Sequence, residues 1–73
     1  MKLAVTGGSG FVGNNLVEKL VLEGHQIKVL VRKTSNTRFL EKLGVELVYG
    51  DLVDKESIES LVNDVDVVYH VAA

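Results

Sequence analysis

The sequence contains no cysteine. That excludes a disulfide framework and any thiolate metal site, and it fits a reducing compartment, so the cytoplasm is the expected location. No apolar run is long enough to cross a bilayer. The amino-terminal segment lacks the charged-then-apolar build of a secretory leader, and no Asn-x-Ser/Thr acceptor occurs. Neither sign of charge dominates: 8 Lys and Arg stand against 10 Asp and Glu, for a net charge of −2. Nothing in that balance points to nucleic acid or an acidic membrane as a partner. The histidines, His25 and His70, are far apart and have no ligand pattern beside them, so no metal site is expected.

What the chain has is glycine, concentrated after its first apolar segment. Leu3-Ala4-Val5-Thr6 runs into Gly7-Gly8-Ser9-Gly10-Phe11-Val12-Gly13. A strand that ends in a tight glycine turn and leads into a helix presents unpaired N–H groups and the positive end of a helix dipole to an anion. The pyrophosphate of a dinucleotide is the natural occupant. Two registers fit. Gly8, Gly10 and Gly13 give G-x-G-x-x-G; Gly7, Gly10 and Gly13 give G-x-x-G-x-x-G. The second puts its first glycine directly after the strand and is preferred. Gly7 then makes the turn, Gly10 lets the phosphate approach, and Gly13 lets the helix pack on the sheet, with Phe11 and Val12 between them at the helix start. A nucleophile elbow around Ser9 would need glycine where Phe11 stands. A triphosphate-binding loop from Gly8 to Gly13 would need Lys and Ser/Thr where Asn14 and Asn15 stand.

Beyond the glycines, apolar runs alternate with helical spacing. Strands are expected at 2–6, 26–31, 45–49 and 65–71. A first helix should span 11–23, with Val12, Leu16 and Leu20 on one stripe, Val17 and Val21 beside it, and Gly24 as its stop. Ser35 or Asn36 can cap a short helix carrying Phe39, Leu40 and Leu43 and stopped by Gly44. Asp54 can cap a third helix with Ile58, Leu61 and Val62 inward. The order βαβαβαβ predicts an α/β, Rossmann-type, doubly wound parallel sheet with strand order 3-2-1-4 and its ligand crevice at the carboxyl ends of the strands. The hydrophobic content of 47% suits strands buried on both faces. A chain of this length buries only about 60% of its unfolded surface. It also stops straight after an apolar strand, with no closing helix. The expectation is therefore that residues 1–73 are the N-terminal part of a larger dinucleotide-binding domain.

The tip of the second strand bears on the choice of cofactor. A site for NAD wants a carboxylate there to accept from the ribose 2′-hydroxyl. The sequence has none between Glu23 and Glu41, and instead reads Val31-Arg32-Lys33. Arg32, with Lys33 and Arg38 as weaker candidates, favours the 2′-phosphate of NADP over NAD. Asp51 can accept from an adenine amino group with Leu52 against the ring; an ordinary turn aspartate fits equally well. His70 at the fourth strand tip, with no partner in sequence, is expected to be structural, and Ala72 and Ala73 are small enough for backbone to approach a cofactor. His25 is expected to be solvated, and Tyr49 and Tyr69 to lie in or near the core. No Tyr-x-x-x-Lys pair is present, so no catalytic residue is assigned.

These segments together resemble the start of an extended short-chain dehydrogenase/reductase, of the NAD-dependent epimerase/dehydratase family. The resemblance is carried by Val5 to Gly13, Val29-Leu30-Val31-Arg32, Gly50-Asp51-Leu52 and Asp66-Val67-Val68-Tyr69-His70-Val71-Ala72-Ala73. The arginine and the His-x-Ala-Ala ending are most similar to the dihydroflavonol-4-reductase-like branch. The resemblance implies Gly7, Gly10 and Gly13 at the pyrophosphate, Arg32 at the adenosine phosphate, Asp51 and Leu52 at adenine, and Ala72 and Ala73 near a cofactor ribose. It implies an NADPH-dependent ketone reductase acting on a small carbonyl or alcohol compound, with its catalytic residues beyond Ala73. A nucleotide-sugar epimerase or dehydratase, and a non-catalytic NADP-binding module, are the alternatives.

Overall fold

The computed structural model describes residues 1–7 and 10–71. Seven elements follow one another: β1 (Lys2–Thr6), α1 (Phe11–Leu22), β2 (Gln26–Val31), α2 (Arg38–Leu43), β3 (Glu46–Tyr49), α3 (Lys55–Val62) and β4 (Val67–His70). The strands form one sheet in the order β3-β2-β1-β4, every pair parallel. Topology and element order match the sequence expectation. Among the described residues no helix is long and apolar enough to cross a membrane.

Alternation along the central strands builds two cores. Leu3 and Val5 of β1 and Ile27, Val29 and Val31 of β2 pack with Val17 and Leu20 of α1 and Leu40 of α2. Ala4 and Leu30, on the opposite face, pack with Leu61 of α3 and the partly buried Val48, Ile58 and Val65. The smaller core also holds Lys28, only 7% exposed. Its ammonium group donates to the carbonyls of Ser60 and Asn63, at 3.0 and 3.1 Å, and lies 3.8 Å from a Glu46 carboxylate oxygen. A strand lysine thus serves the carbonyl end of α3, whose last turn has no basic residue of its own.

The element ends follow their capping chemistry. Glu23 is the C-cap of α1; the N–H of Gly24 donates to Val21 O and that of His25 to Leu20 O. This paired arrangement needs a left-handed residue between helix and strand, and Gly24 takes it at φ +91°. Asp54 caps α3 as expected, accepting from the N–H of Glu56 at 3.1 Å. At α2 the expected cap shifts by a residue. Thr37 is the N-cap, its hydroxyl donating to Glu41 Oε2 at 3.4 Å and capping no N–H group, while Asn36 Oδ1 accepts from the N–H of Arg38 two residues on, a local turn that competes with the cap position.

Several burial expectations are corrected. Val12 is 66% and Val62 40% exposed, because each turns away from the sheet at the edge of its helix. Tyr49 is 54% and Tyr69 38% exposed. β4 is exposed along its whole length: it pairs with β1 alone, and no helix among the described residues covers it. His25 is half-buried rather than solvated, with Nδ1 buried and without a hydrogen-bond partner among the described residues.

Candidate functional site

The carboxyl ends of the four strands converge on a cleft of about 630 Å³, lined among others by Gly7, Arg32, Asp51, Leu52, His70 and Val71. Four segments far apart in sequence meet there because a parallel sheet delivers every strand end to the same side.

The glycine turn forms one wall. Gly7 sits at φ +75°, and a Cβ there would lie 2.2 Å from the carbonyl oxygen of Val71. Backbone conformation and the close approach of the chain after β4 both demand glycine. Gly10, the N-cap of α1, has no side chain to bond the first-turn N–H groups, and that turn contains no acidic residue. Among the described residues, no side chain compensates the positive end of α1. Gly13 is buried in the same turn. Val12 points outward. The Phe11 side chain and Ala72 and Ala73 lie outside the described residues.

Arg32 and Asp51 form the opposite wall. The Arg32 backbone is pinned by Ser35: its N–H donates to Ser35 Oγ at 3.1 Å, and the Ser35 N–H donates back to Arg32 O at 3.0 Å. The Arg32 side chain reaches out, 72% exposed, with Nε 4.0 Å from Asp51 Oδ2. The sequence has no carboxylate near Arg32 along the chain; the β2–β3 pairing supplies one from 19 positions on. Lys33 lies in a shallower depression beside Arg32, shared with Tyr49 and Asp54. Arg38 is not brought to the cleft, and instead lines a separate depression with Asn14, Phe39 and Lys42.

Asp51 is held from below. Its N–H donates to Ser57 Oγ at 3.3 Å, and its Oδ1 accepts from the Val53 N–H at 3.3 Å. Ser57, 6% exposed, donates in turn to Asp54 Oδ2 at 2.9 Å. The chain can pass this close only because residue 50 is glycine: a Cβ there would lie 1.9 Å from Ser57 Oγ. Ser57 and Ser35 are the site residues that sequence reasoning missed. An Asp-x-x-Ser spacing at the start of α3 was the available signal for Ser57. Leu52 is 49% exposed beside Asp51, its side chain free to meet a ring. His70 is not partnerless: its Nδ1 is hydrogen-bonded to Oγ1 of the buried Thr6, across the β1–β4 pair. That bond ties the tips of two strands together at the cleft.

The fit to a dinucleotide rests on three features: Gly7 closed in by backbone, a helix start that no described side chain caps, and a cation at the neighbouring strand tip.

The model of the NmrA-like family matches residues 1–73. The chain is 40% identical over its full length to sterol demethylase protein B of Methylococcus capsulatus, covering 22% of that protein. It is 43% identical over 70 residues to 2-alkyl-3-oxoalkanoate reductase of Stenotrophomonas maltophilia, covering 96% of this chain and 21% of the relative. The chain thus spans about a fifth of the length of the curated relatives it matches. Among solved structures, AtPrR2 with NADP+ and (+)pinoresinol superposes with a TM-score of 0.84 at 32% identity, over 99% of this chain and 26% of that one.

Proposed function

This chain belongs to the NmrA-like family, within the NAD(P)-binding reductase and epimerase superfamily, and we propose that it is the N-terminal, cofactor-binding part of a longer oxidoreductase that reduces a ketone with NADPH. The observation that carries the reading is Gly10. Its backbone is extended, φ −84° and ψ 177°, a conformation open to any residue. A Cβ there would meet nothing nearer than Gly7 O at 3.9 Å. Neither strain nor packing among the described residues calls for glycine. A phosphate that must come against the N–H groups of α1 does.

Bound NADPH would supply the hydride. The chain's own residues bind and orient: the Gly7–Gly13 turn takes the pyrophosphate, Asp51 and Leu52 the adenine, and Arg32, with Lys33 beside it, the 2′-phosphate. Support for NADPH over NADH comes from that guanidinium and from the absence of a carboxylate on the strand tip itself. The proton donor would come from the sequence beyond Ala73.

Gly10→Val in the full-length protein tests the reading. Calorimetry should show dinucleotide binding lost, while the circular dichroism spectrum and melting temperature hold. Undiminished affinity would refute the site.

A further inference from the structure

We propose that Asp51 is a specificity-determining residue: its carboxylate faces Arg32 and narrows the preference for NADPH over NADH that Arg32 alone would set. The inference rests on the reading that Arg32 meets the 2′ position of the cofactor.

The carboxylate is held in place independently of Arg32. Oδ1 accepts from the Val53 N–H, and the Asp51 N–H is fixed on the buried Ser57. Oδ2 is left facing the cleft, 4.0 Å from Arg32 Nε. The pair itself contributes little to stability, because the Arg32 side chain is 72% and the Asp51 side chain 46% exposed, and solvent screens both. Its consequence lies in binding. A phosphate arriving at Arg32 brings nearly two negative charges, and Asp51 places a third within a side chain's reach. Like charges so arranged repel, and the guanidinium must divide its attraction between them. A free 2′-hydroxyl meets no such opposition. Among the described charged groups near the pair, Lys33 works the other way, and Asp54 is engaged with Ser57 and the Glu56 N–H. Any contact of Asp51 with adenine is common to both cofactors and cancels in the ratio of their affinities.

Asp51→Asn keeps the shape and an Oδ1 acceptor for Val53 while removing the charge. In the full-length protein, dissociation constants for NADPH and NADH should be measured for the wild type, Asp51→Asn, Arg32→Ala and the double variant. Asp51→Asn should raise the NADPH:NADH affinity ratio about two- to fivefold at low salt, the scale of an exposed charge pair. The gain should fade near 1 M salt, where screening acts within about 3 Å. In the Arg32→Ala background it should shrink without vanishing, because the carboxylate still repels the phosphate when the guanidinium is gone. An unchanged ratio in Asp51→Asn, or a gain that is undiminished near 1 M salt, overturns the inference while leaving the Arg32 reading intact. If Arg32→Ala leaves NADPH affinity unchanged, both fail together. Should Asp51→Asn melt early, Asp51→Ser, which also suits a turn, gives the same ratio test.

Discussion

Arg32 has different neighbours along the chain and in space. On the line of the chain it stands in an entirely basic and neutral neighbourhood; in space it faces Asp51 across 4.0 Å. A guanidinium hydrogen-bonded to phosphate at a partly exposed site contributes about 1.5–3 kcal/mol, or roughly ten- to a hundredfold in affinity. Arg32→Asp removes that contact, supplies an acceptor for a free 2′-hydroxyl and adds a second carboxylate beside Asp51. The preference for NADPH over NADH should therefore reverse, read as the ratio of dissociation constants at one fixed ionic strength. A ratio that does not move would make Arg32 a solvated surface cation. The glycines divide at the same scale. Gly7 and Gly50 are required by backbone and by Ser57; at Gly10 no described residue supplies a reason, and the proposed phosphate would.

At the scale of elements, α3 is the helix that supports the Asp51 turn through Ser57, and its two ends are held by different means. Asp54 caps the N-terminus through Glu56 N–H and anchors Ser57, which in turn holds Asp51. Lys28 reaches across the sheet to the C-terminal carbonyls. Losing an N-cap carboxylate costs about 1 kcal/mol. Asp54→Ala should lower the stability of the full-length protein by about that much in denaturant titration. It should also weaken binding of both cofactors alike, since Ser57 loses its acceptor and the Asp51 turn its support. A loss confined to one cofactor would show that Asp54 acts on the site directly rather than through α3. The spacing of Asp54, Ile58 and Leu61 made this helix legible in advance. The contribution of Lys28 was not legible, because a lone lysine within an apolar strand carries no sign of the helix end it will meet.

For the molecule as a whole, β3 and β4 are the outer strands of the described sheet, and β4 is exposed along its whole length. Val67, Val68 and Tyr69 of β4 are 39%, 47% and 38% exposed, and an apolar strand edge of this kind pairs with whatever strand it meets. The isolated 73-residue chain should therefore self-associate, with a sedimentation mass that rises with concentration, and Val68→Lys should return it toward monomer. A concentration-independent monomer would show that β4 is protected in another way. The sequence by itself determined the alternation of strands and helices, the sheet order, the glycine turn and the cation at the second strand tip. Each of those is written in local pattern: periodicity, caps, and residues that only certain backbone conformations accept. Tertiary structure alone decided that Asp51 faces Arg32, that His70 bonds Thr6, that Ser57 sits against Gly50 and that Tyr49 and Tyr69 are exposed. Those facts depend on register between strands distant in sequence and on which faces the helices leave uncovered, and no window along the chain contains that information.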